Sequence, residues 1–348
     1  MTGVAATGVR VLGLVLRRCL TMAVTLAVIS ALVFLVIKLP PGDYLTNRIA
    51  ELRASGEAAS VSRAELLIRQ YGLDRPVYEQ YLMWVGLWPG PAGFSGLLQG
   101  DWGWSFEYDR PVAEVVGDAL WLTLVVNLAA LAFVHAVAIP IALYSATHRH
   151  TAGDAVVTVL GYVGLAVPGF LLALILLFYA NRWFGLSIGG LYDPAFTGKP
   201  WDWPKVRSLL AHLVVPTLVI GLGGTAAMIR RMRANLLDEL AKPYTVTARA
   251  KGLPPLRALL KYPFRMSLNP FVADIGNLLP HLVSGSVLVS LVLSLPTVGP
   301  LLLEALRSQD QFMAGFILMF TAGLTLVGML ISDLALVWLD PRIRMGAR

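Results

Sequence analysis

Residues 119–147, ALWLTLVVNLAALAFVHAVAIPIALYSAT, contain no Asp, Glu, Lys or Arg over 29 consecutive positions. A helix needs about 20 apolar residues to cross the roughly 30 Å hydrocarbon core of a bilayer, because each residue rises about 1.5 Å. Five further charge-free runs, of 19 to 29 residues, have the same character: 19–37, 155–181, 208–229, 275–303 and 311–332. The sequence therefore predicts an all-α polytopic membrane protein with six transmembrane helices.

The composition supports this interpretation. Of the 348 residues, 57% are hydrophobic and 14% are charged, and the mean hydropathy is +0.69. A soluble domain carries about 25% charged residues, so the composition argues strongly against a soluble enzyme. The single cysteine, Cys19, excludes an intramolecular disulfide.

The predicted spans divide the chain into segments on two sides of the membrane. We place the spans at 19–37, 119–147, 154–181, 208–229, 272–295 and 312–339. They leave tails at 1–18 and 340–348, an extracytoplasmic segment at 38–118 (the outer segment) and a long loop at 230–271. The flanks 1–18, 147–153, 230–271 and 340–348 hold 16 of the 28 basic residues against three acids. Because Lys and Arg are enriched on the cytoplasmic side, both termini and the 230–271 loop are predicted to be cytoplasmic. The excess of basic residues behind the net charge of +7 lies on the predicted cytoplasmic side, where membrane topology explains it. Nucleic-acid binding is therefore not predicted.

The outer segment contains signals for two short helices. Ser62-x-x-Glu65 has the spacing of a capping box, which predicts a helix from Ser62 to about Gly72. Pro76 is suited to the first turn of a second helix, on which Val77, Tyr81, Trp84 and Val85 form one apolar stripe. The segment either packs on the membrane surface or docks an external partner, and the candidate docking residues are Tyr81, Trp84, Trp102 and Trp104.

The 230–271 loop contains a short basic amphipathic helix. Pro254-Pro255 can start it, and Gly252 allows the sharp turn that precedes it. Leu256, Leu259, Leu260 and Phe264 would share one side of this helix, and Arg257, Lys261 and Arg265 another. Such a helix could lie on anionic lipid or fit a groove on a cytoplasmic partner, and composition does not choose between the two.

The sequence carries no recognisable catalytic motif. Gly198-Lys199 is the only Gly-Lys pair and lacks the rest of a phosphate-binding loop, and no His-Glu-x-x-His, Cys-x-x-Cys or Gly-x-Ser-x-Gly is present. Five scattered histidines do not form a metal cluster. No catalytic residue and no metal site is predicted. Active transport would need energy from another subunit or from an ion gradient.

An ion gradient would require ionisable groups within the membrane. Asp274, Asn277 and His281 share one helical face, where they could line a pathway or hydrogen-bond neighbouring helices. A proton relay through Asp274 and His281, in an ion-coupled secondary transporter, is the alternative hypothesis. Prolines within the spans are predicted to mark kinks: Pro140, Pro168, Pro216 and Pro280.

Several segments together resemble the inner-membrane permease subunits of binding-protein-dependent ABC importers, in the dipeptide, oligopeptide and nickel class. Tyr244-Thr-Val-Thr-Ala-Arg-Ala-Lys-Gly252-Leu253 is similar to that family's Thr-Ala-Arg-Ala-Lys-Gly-Leu. The other similar stretches are Pro41-Gly42-Asp43, Tyr71-Gly-Leu-Asp-Arg-Pro76, Gln80-Tyr81, Gly100-Asp101-Trp102-Gly103-Trp104-Ser-Phe106, Arg110-Pro111-Val112 and Asp340-Pro-Arg-Ile-Arg344.

The resemblance implies that 230–271 is the loop that couples the permease to its ATPases, with residues 247–262 moving as a lever. The coupling residues would be Tyr244, Thr247, Ala248, Arg249, Ala250, Lys251, Gly252, Arg257, Lys261 and Pro263. The implied partners are two ATP-binding subunits, a second homologous permease in a heterodimer, an extracytoplasmic solute-binding protein and membrane lipid. ATP and Mg would bind the ATPases and not this chain. The implied location is the inner membrane of a bacterium or archaeon, and the implied solute is a peptide or an oligosaccharide.

Overall fold

The computed structural model describes residues 2–40, 49, 58–91, 93–184, 189–272 and 286–339, and most of these are helical. Residues 286–292 are also helical. The helices are α1 (Thr2–Lys38), α2 (Ala58–Gln70), α3 (Val77–Val85), α4 (Val112–Thr147), α5 (Ala152–Ala166), α6 (Gly169–Phe184), α7 (Trp203–Leu240), α8 (Pro243–Ala250), α9 (Pro255–Lys261), α10 (Pro263–Ser267), α11 (Val298–Arg307) and α12 (Gln311–Leu339). Two short strands, β1 (Trp104–Ser105) and β2 (Arg110–Pro111), pair antiparallel. This hairpin is a small departure from the predicted all-α fold.

Among the described residues, four helices are long and apolar enough to cross a membrane. They comprise Val15–Lys38, Val112–Thr147, Trp203–Leu240 and Gln311–Val337, and a fifth span is possible if the bent pair Ala152–Ala166 and Gly169–Tyr179 counts as one. The chain is therefore a polytopic helical membrane protein. Most of the predicted span at 272–295 lies outside the described residues, so six spans and cytoplasmic termini stay predictions.

The predicted span at 154–181 is not one helix. Pro168 separates α5 from α6, and the two helices meet at 93°. The N–H of Val167 still donates to Val163 O, at 3.2 Å, whereas the N–H groups of Leu171 and Leu172 turn to Pro168 O. Because proline has no N–H and crowds the preceding turn, the hydrogen-bond ladder restarts after it. The predicted kink at this proline is thus a break.

α7 extends beyond the predicted span at 208–229. Its 38 residues correspond to about 57 Å at about 1.5 Å per residue, well over the thickness of the hydrocarbon core. Asp202 caps its N-terminus, since the Lys205 N–H donates to Asp202 Oδ1 at 3.0 Å. The first eleven residues of the predicted loop, 230–240, therefore belong to α7, and Pro216 lies inside it without ending it.

One compact unit comprises Met1–Trp121 and Pro300–Gly323 and includes the outer segment. α2 begins at Ala58, so the predicted start at Ser62 is wrong: Ser62 lies within the helix and is not its cap. α3 begins directly after Pro76, as predicted, and ends at Gly86, whose left-handed φ of 95° suits glycine. The predicted stripe is wrong at Val77, which is exposed, whereas Trp84 is buried.

A buried carboxylate ties the hairpin of this unit to the start of α12. Ser105 Oγ donates to Asp310 Oδ2 at 2.6 Å, and the Glu107 N–H donates to the same oxygen at 3.3 Å. Asp310 also caps α12, because its Oδ1 accepts from the Met313 N–H at 3.2 Å. Ser105 and Asp310 are fully buried, and this burial raises the pKa of the Asp310 carboxyl although the hydrogen bonds lower it.

The other unit comprises Leu122–Gly299 and Leu324–Arg348. Its apolar interior includes side chains of α4, α6 and α7, together with residues 289–295. One cluster contains Leu122, Val126, Ala173, Leu191, Leu209, Val219, Val289, Leu293 and Leu295. A second contains Val134, Ala138, Ala142, Met228, Ile229, Met232 and Phe271. α7 contributes to both clusters and therefore forms part of the support for the loop that follows it.

Candidate coupling site

The loop predicted to couple the permease to its ATPases is a pair of short helices, α8 and α9, joined by a tight turn. Residues 247–262, expected to move together as a lever helix, are therefore parts of two helices and a turn, and the lever role itself stays a prediction. α9 begins after Pro254, as predicted, and ends at Lys261. A separate helix, α10, begins at Pro263, because a proline ring is incompatible with the interior of a continuing helix.

Gly252 makes the turn between α8 and α9 possible. Its N–H donates to Arg249 O at 2.9 Å, and the Leu253 N–H donates to Ala248 O at 3.3 Å. This pair of bonds is a Schellman ending, which places a left-handed residue after the helix. Gly252 has φ of 81°, and a Cβ there would meet no described atom within 4 Å. The requirement for glycine is therefore one of backbone conformation and not of space.

The two helices bury three small side chains and one leucine, and they expose most of their large side chains. Thr245, Ala248 and Ala258 are buried, as is Leu259. Leu256 and Leu260, in contrast, are 63% and 43% exposed. The predicted apolar stripe is therefore wrong: it is divided between the interior and the surface, and Phe264 belongs to α10.

Basic residues surround the exposed leucines. Arg249, Lys251, Arg257 and Lys261 are all exposed, as are Thr247 and Ala250. Among the described residues, none of these four cations forms a salt bridge, since the ion pairs found involve Arg75 and Arg233. We call the exposed surface of Val246, Arg249, Leu256, Arg257, Leu260 and Lys261 the basic ridge. It combines apolar contact area with positive charge.

The loop is anchored on the end of α7. Thr245 Oγ1 donates to Glu239 O at 3.0 Å, and the Tyr244 hydroxyl donates to the Glu239 carboxylate. Leu259 packs with Leu236 of α7 and Ala146 of α4. Pro263 is buried at the start of α10. These contacts fix both α8 and α9 to the long helix that precedes them.

A buried ion pair lies near the same end of α7. Arg233 donates two hydrogen bonds to Asp154, from Nε at 2.8 Å and from Nη2 at 2.7 Å. Asp154 also accepts from the Ser145 hydroxyl and from the His150 N–H, at 3.0 Å for the latter. The cluster therefore joins α4, α5 and α7, because each helix contributes one side chain.

Sequence reasoning missed this ion pair. The only available signal was that Asp154 and Arg233 flank charge-free runs on the same predicted side of the membrane. That signal does not identify partners 79 positions apart.

The four candidate docking residues of the outer segment pack against their own chain. Trp84 is buried and lies beside Phe34, and the Tyr81 hydroxyl hydrogen-bonds Ser30 Oγ at 2.9 Å. Trp102 stacks on Phe316 with 4.0 Å between ring centroids. Trp104 packs in the cluster around Phe106. Their side chains shape the segment, and docking of the segment itself stays a prediction. The predicted pathway residues Asp274, Asn277 and His281 lie outside the described residues.

The long apolar helices define a membrane-embedded protein, with a loop that is anchored on the end of α7 and partly exposed. The chain belongs to the family of binding-protein-dependent transport system inner membrane components, whose family model matches residues 138–345. The N-terminal model of the same kind of membrane component matches residues 11–127.

The relatives that cover nearly the whole chain include an oligopeptide permease and a glutathione permease. The oligopeptide transport system permease protein AppB of Bacillus subtilis is 30% identical over 94% of this chain and 98% of its own length. The glutathione transport system permease protein GsiC of Escherichia coli K12 is 30% identical over 96% of this chain and 99% of its own length. The protein is therefore a multi-pass inner-membrane permease subunit of an ABC importer and not an enzyme. ATP hydrolysis and solute capture belong to its partner subunits.

Proposed function

We propose that this permease imports peptides and that the basic ridge is the surface on which an ATPase subunit acts. Two ATPase subunits, holding ATP and Mg, would act on this chain and on a second, homologous permease. A solute-binding protein would deliver peptide to a pathway between the two permeases. The observation that carries the proposal is the exposed, basic ridge fixed to the end of α7.

The ridge has the properties of a surface that fits a partner's groove. Leu256 and Leu260 are four residues apart on α9, so they project from one side of the helix, and Arg257 and Lys261 follow each of them by one position. Apolar anchors at this spacing are typical of a helix held in a hydrophobic groove. The cations favour an acidic rim around that groove and steer its approach.

The anchoring of the loop explains how force would reach the membrane spans. Closure of the ATPases on ATP would displace α8 and α9 together, because the Gly252 turn and the Glu239 contacts hold them on α7. α7 would then move relative to its neighbours and open the pathway on the other side. For this to occur, the two states of the permease must make different contacts with the ATP-bound and ATP-free ATPases.

The ridge is tested by a charge-introducing substitution with a matched control. Leu256→Glu should abolish co-purification of the ATPase subunits from detergent-solubilised membranes, since a carboxylate enters an apolar groove. Leu98→Glu is the control, because Leu98 is similarly exposed but lies in the outer segment. Reversal of Arg257 and Lys261 to glutamate should leave ATP hydrolysis in place but lower uptake per ATP. Retention of the ATPases by the Leu256 variant would refute the assignment and favour a ridge that lies on lipid.

Peptide is proposed as the solute because of the oligopeptide and glutathione permeases among the relatives. Neither comparison supports an oligosaccharide or the ion-coupled alternative. Proteoliposomes that contain the whole complex, with ATP inside, should accumulate a labelled dipeptide from added binding protein. An uncoupler should not change this uptake. Uptake that needs no ATP and collapses with the proton gradient would overturn the proposal.

The proposed topology has six spans with both termini in the cytoplasm. A membrane-impermeant maleimide should then label a cysteine introduced at Ser62 in intact spheroplasts, and label one introduced at Lys251 only after lysis. The Cys19→Ser background removes the native thiol. Labelling of Lys251→Cys in intact cells would reverse the orientation.

A further inference from the structure

The break between α5 and α6 leaves backbone carbonyl groups without hydrogen-bond partners. The ladder of α5 ends with Val167, whose N–H donates to Val163 O, and the ladder of α6 begins with Pro168 O as its first acceptor. Between the two ladders, no described residue donates a hydrogen bond to four consecutive carbonyl oxygens, those of Gly164, Leu165, Ala166 and Val167. Free carbonyls are normal at the end of a helix, where water or a cap satisfies them.

This helix end, however, lies near the middle of the membrane. A Cβ on Gly169 would lie 3.7 Å from Val219 O, and Val219 stands at the centre of the charge-free run 208–229 of the spanning helix α7. The charge-free run 155–181 places the break at the same depth, because Pro168 is at its centre with 13 residues on either side. Packing and sequence therefore agree that the four carbonyls lie far from both membrane surfaces.

A free carbonyl at this depth is unfavourable unless a donor reaches it. Lipid tails offer no donor, so non-helical backbone in the hydrocarbon region is tolerated only where protein buries it or where it lines a water-filled cavity. This chain does not bury the break, because Leu165, Ala166 and Val167 are all exposed. Either the donors of a partner or water must therefore satisfy the carbonyls.

A cavity of about 530 Å³ lies beside the break. Val163, Gly164 and Val167 line it on the α5 side, Gly169 on the α6 side and Val219 on the α7 side, all in one compact unit. Every residue that lines the cavity is aliphatic or glycine, so only backbone groups can offer it hydrogen bonds. Water satisfies adjacent carbonyls in any number and orientation, whereas a partner protein would need a separate donor for each. The cavity has room for many waters at about 30 Å³ each.

We propose that the α5–α6 break lines the water-filled pathway through which the solute crosses the membrane. The inference rests on the proposed function, which places a pathway between this permease and a second one, and it assigns residues of this chain to that pathway. A peptide in transit carries N–H groups that must exchange their bonds with water for other acceptors. The free carbonyls supply such acceptors, and the uncharged aliphatic walls make no demand on the sequence of the peptide.

Cysteine accessibility in the assembled complex tests this assignment. Val167→Cys, in the Cys19→Ser background, is treated in nanodiscs with a charged, water-soluble methanethiosulfonate. Val28→Cys is the matched control, because Val28 is an exposed valine near the middle of the unbroken spanning helix α1. The Val167→Cys thiol should react at least about tenfold faster, since neither the charged reagent nor the reactive thiolate is stable in hydrocarbon.

A block of transport connects this reactivity to the pathway. Once modified, the Val167→Cys complex in proteoliposomes should lose most of its ATP-dependent uptake of labelled dipeptide, and dithiothreitol should restore it. The same treatment should leave uptake by the Val28→Cys complex unchanged. Retained ATPase subunits and ATP hydrolysis show that each variant is assembled. If Val167→Cys does not assemble, Val163→Cys takes its place, because Val163 lines the same cavity and is exposed.

Equal reaction rates of the two thiols would overturn the proposal, because the break would then be covered by lipid or by a partner. A fast reaction at Val167→Cys that leaves uptake intact would also overturn it, since water would then reach the break from outside the pathway.

The comparison of reaction rates separates this inference from the proposed solute, because it does not depend on what is transported. Failure of the unmodified complex to import any peptide, with binding protein and ATP present, would refute the proposed solute. A slow reaction at Val167→Cys in a complex that does import peptide would refute the pathway assignment alone.

Discussion

Replacing Arg233 with methionine is expected to destabilise the protein more than replacing its partner Asp154 with asparagine. The side chain of Asp154 is 7% exposed and that of Arg233 is 26% exposed. Loss of the arginine leaves a nearly buried carboxylate with only Ser145 and the His150 N–H, and breaking a buried pair in this way costs about 3–5 kcal/mol. Loss of the carboxylate leaves a guanidinium that water still reaches, so we expect about 1–3 kcal/mol.

Equilibrium unfolding in mixed detergent and SDS micelles measures both free energies, and the double variant completes the cycle. If the singles cost about 4 and 2 kcal/mol, the double should cost less than their sum by about 1–3 kcal/mol, because no unpaired charge is left. Ser30→Ala, whose hydroxyl lies in the other unit, controls for the loss of an unrelated hydrogen bond. Equal losses for the two single variants, or strict additivity, would contradict the assignment of a buried, coupled pair.

Three further predictions concern single positions. Gly252→Ala should lower uptake per ATP, because a left-handed alanine costs about 1–2 kcal/mol. Gly252→Asn should retain more coupling, because asparagine tolerates the left-handed conformation. An equal loss in both variants would show that the size of the side chain matters instead. Gly103→Ala should destabilise the outer segment, since φ is 83° and its Cβ would lie 2.6 Å from Phe312 Cδ1; an unchanged thermal midpoint would contradict this close approach. Burial raises the pKa of Asp310, so the carboxyl stays protonated to higher pH in the native state than in the unfolded chain. The resulting stabilisation of the native state is present below about pH 4 and is lost as pH rises through the raised pKa. The thermal midpoint of the wild type should therefore rise relative to that of Asp310→Asn as the pH is lowered from about 7 to about 4, and parallel profiles would refute this.

Four of the predicted spans correspond to long apolar helices, and these were predictable because a long charge-free run has one favourable environment. The helix starts directly after Pro76 and Pro254 were also predictable, since proline is favoured at the start of a helix over its interior. The break at Pro168, in contrast, was not predictable from the sequence. Pro140 and Pro216 lie within continuous helices, so the same residue type gives different outcomes. The sequence around a proline therefore does not by itself separate one that interrupts a helix from one that lies within it.

The buried face of α9 shows a second limit of sequence patterns. Periodicity placed Leu256, Leu259 and Leu260 on one apolar side, yet Ala258 is the fully buried residue and two of the leucines are exposed. A small alanine lets the helix approach its neighbours closely. Hydropathy alone ranks leucine above alanine and therefore predicts that the leucines are the buried residues. An amphipathic pattern therefore identifies a helix but does not say which apolar residues serve the interior and which serve a partner.

α7 connects the two parts of the coupling site. Arg233 binds α4 and α5 through Ser145 and Asp154, and Glu239, six residues later, holds α8. Six residues of helix span about 9 Å, so the loop anchor and the ion pair lie within two turns of one rigid element. Under the proposed function, a displacement of the basic ridge therefore moves Arg233 by a similar distance. The bidentate geometry of the Arg233–Asp154 pair resists sliding of α7 past α5. Weakening that pair should therefore change uptake per ATP even where the ATPases still bind, which separates a role in transmission from a role in assembly.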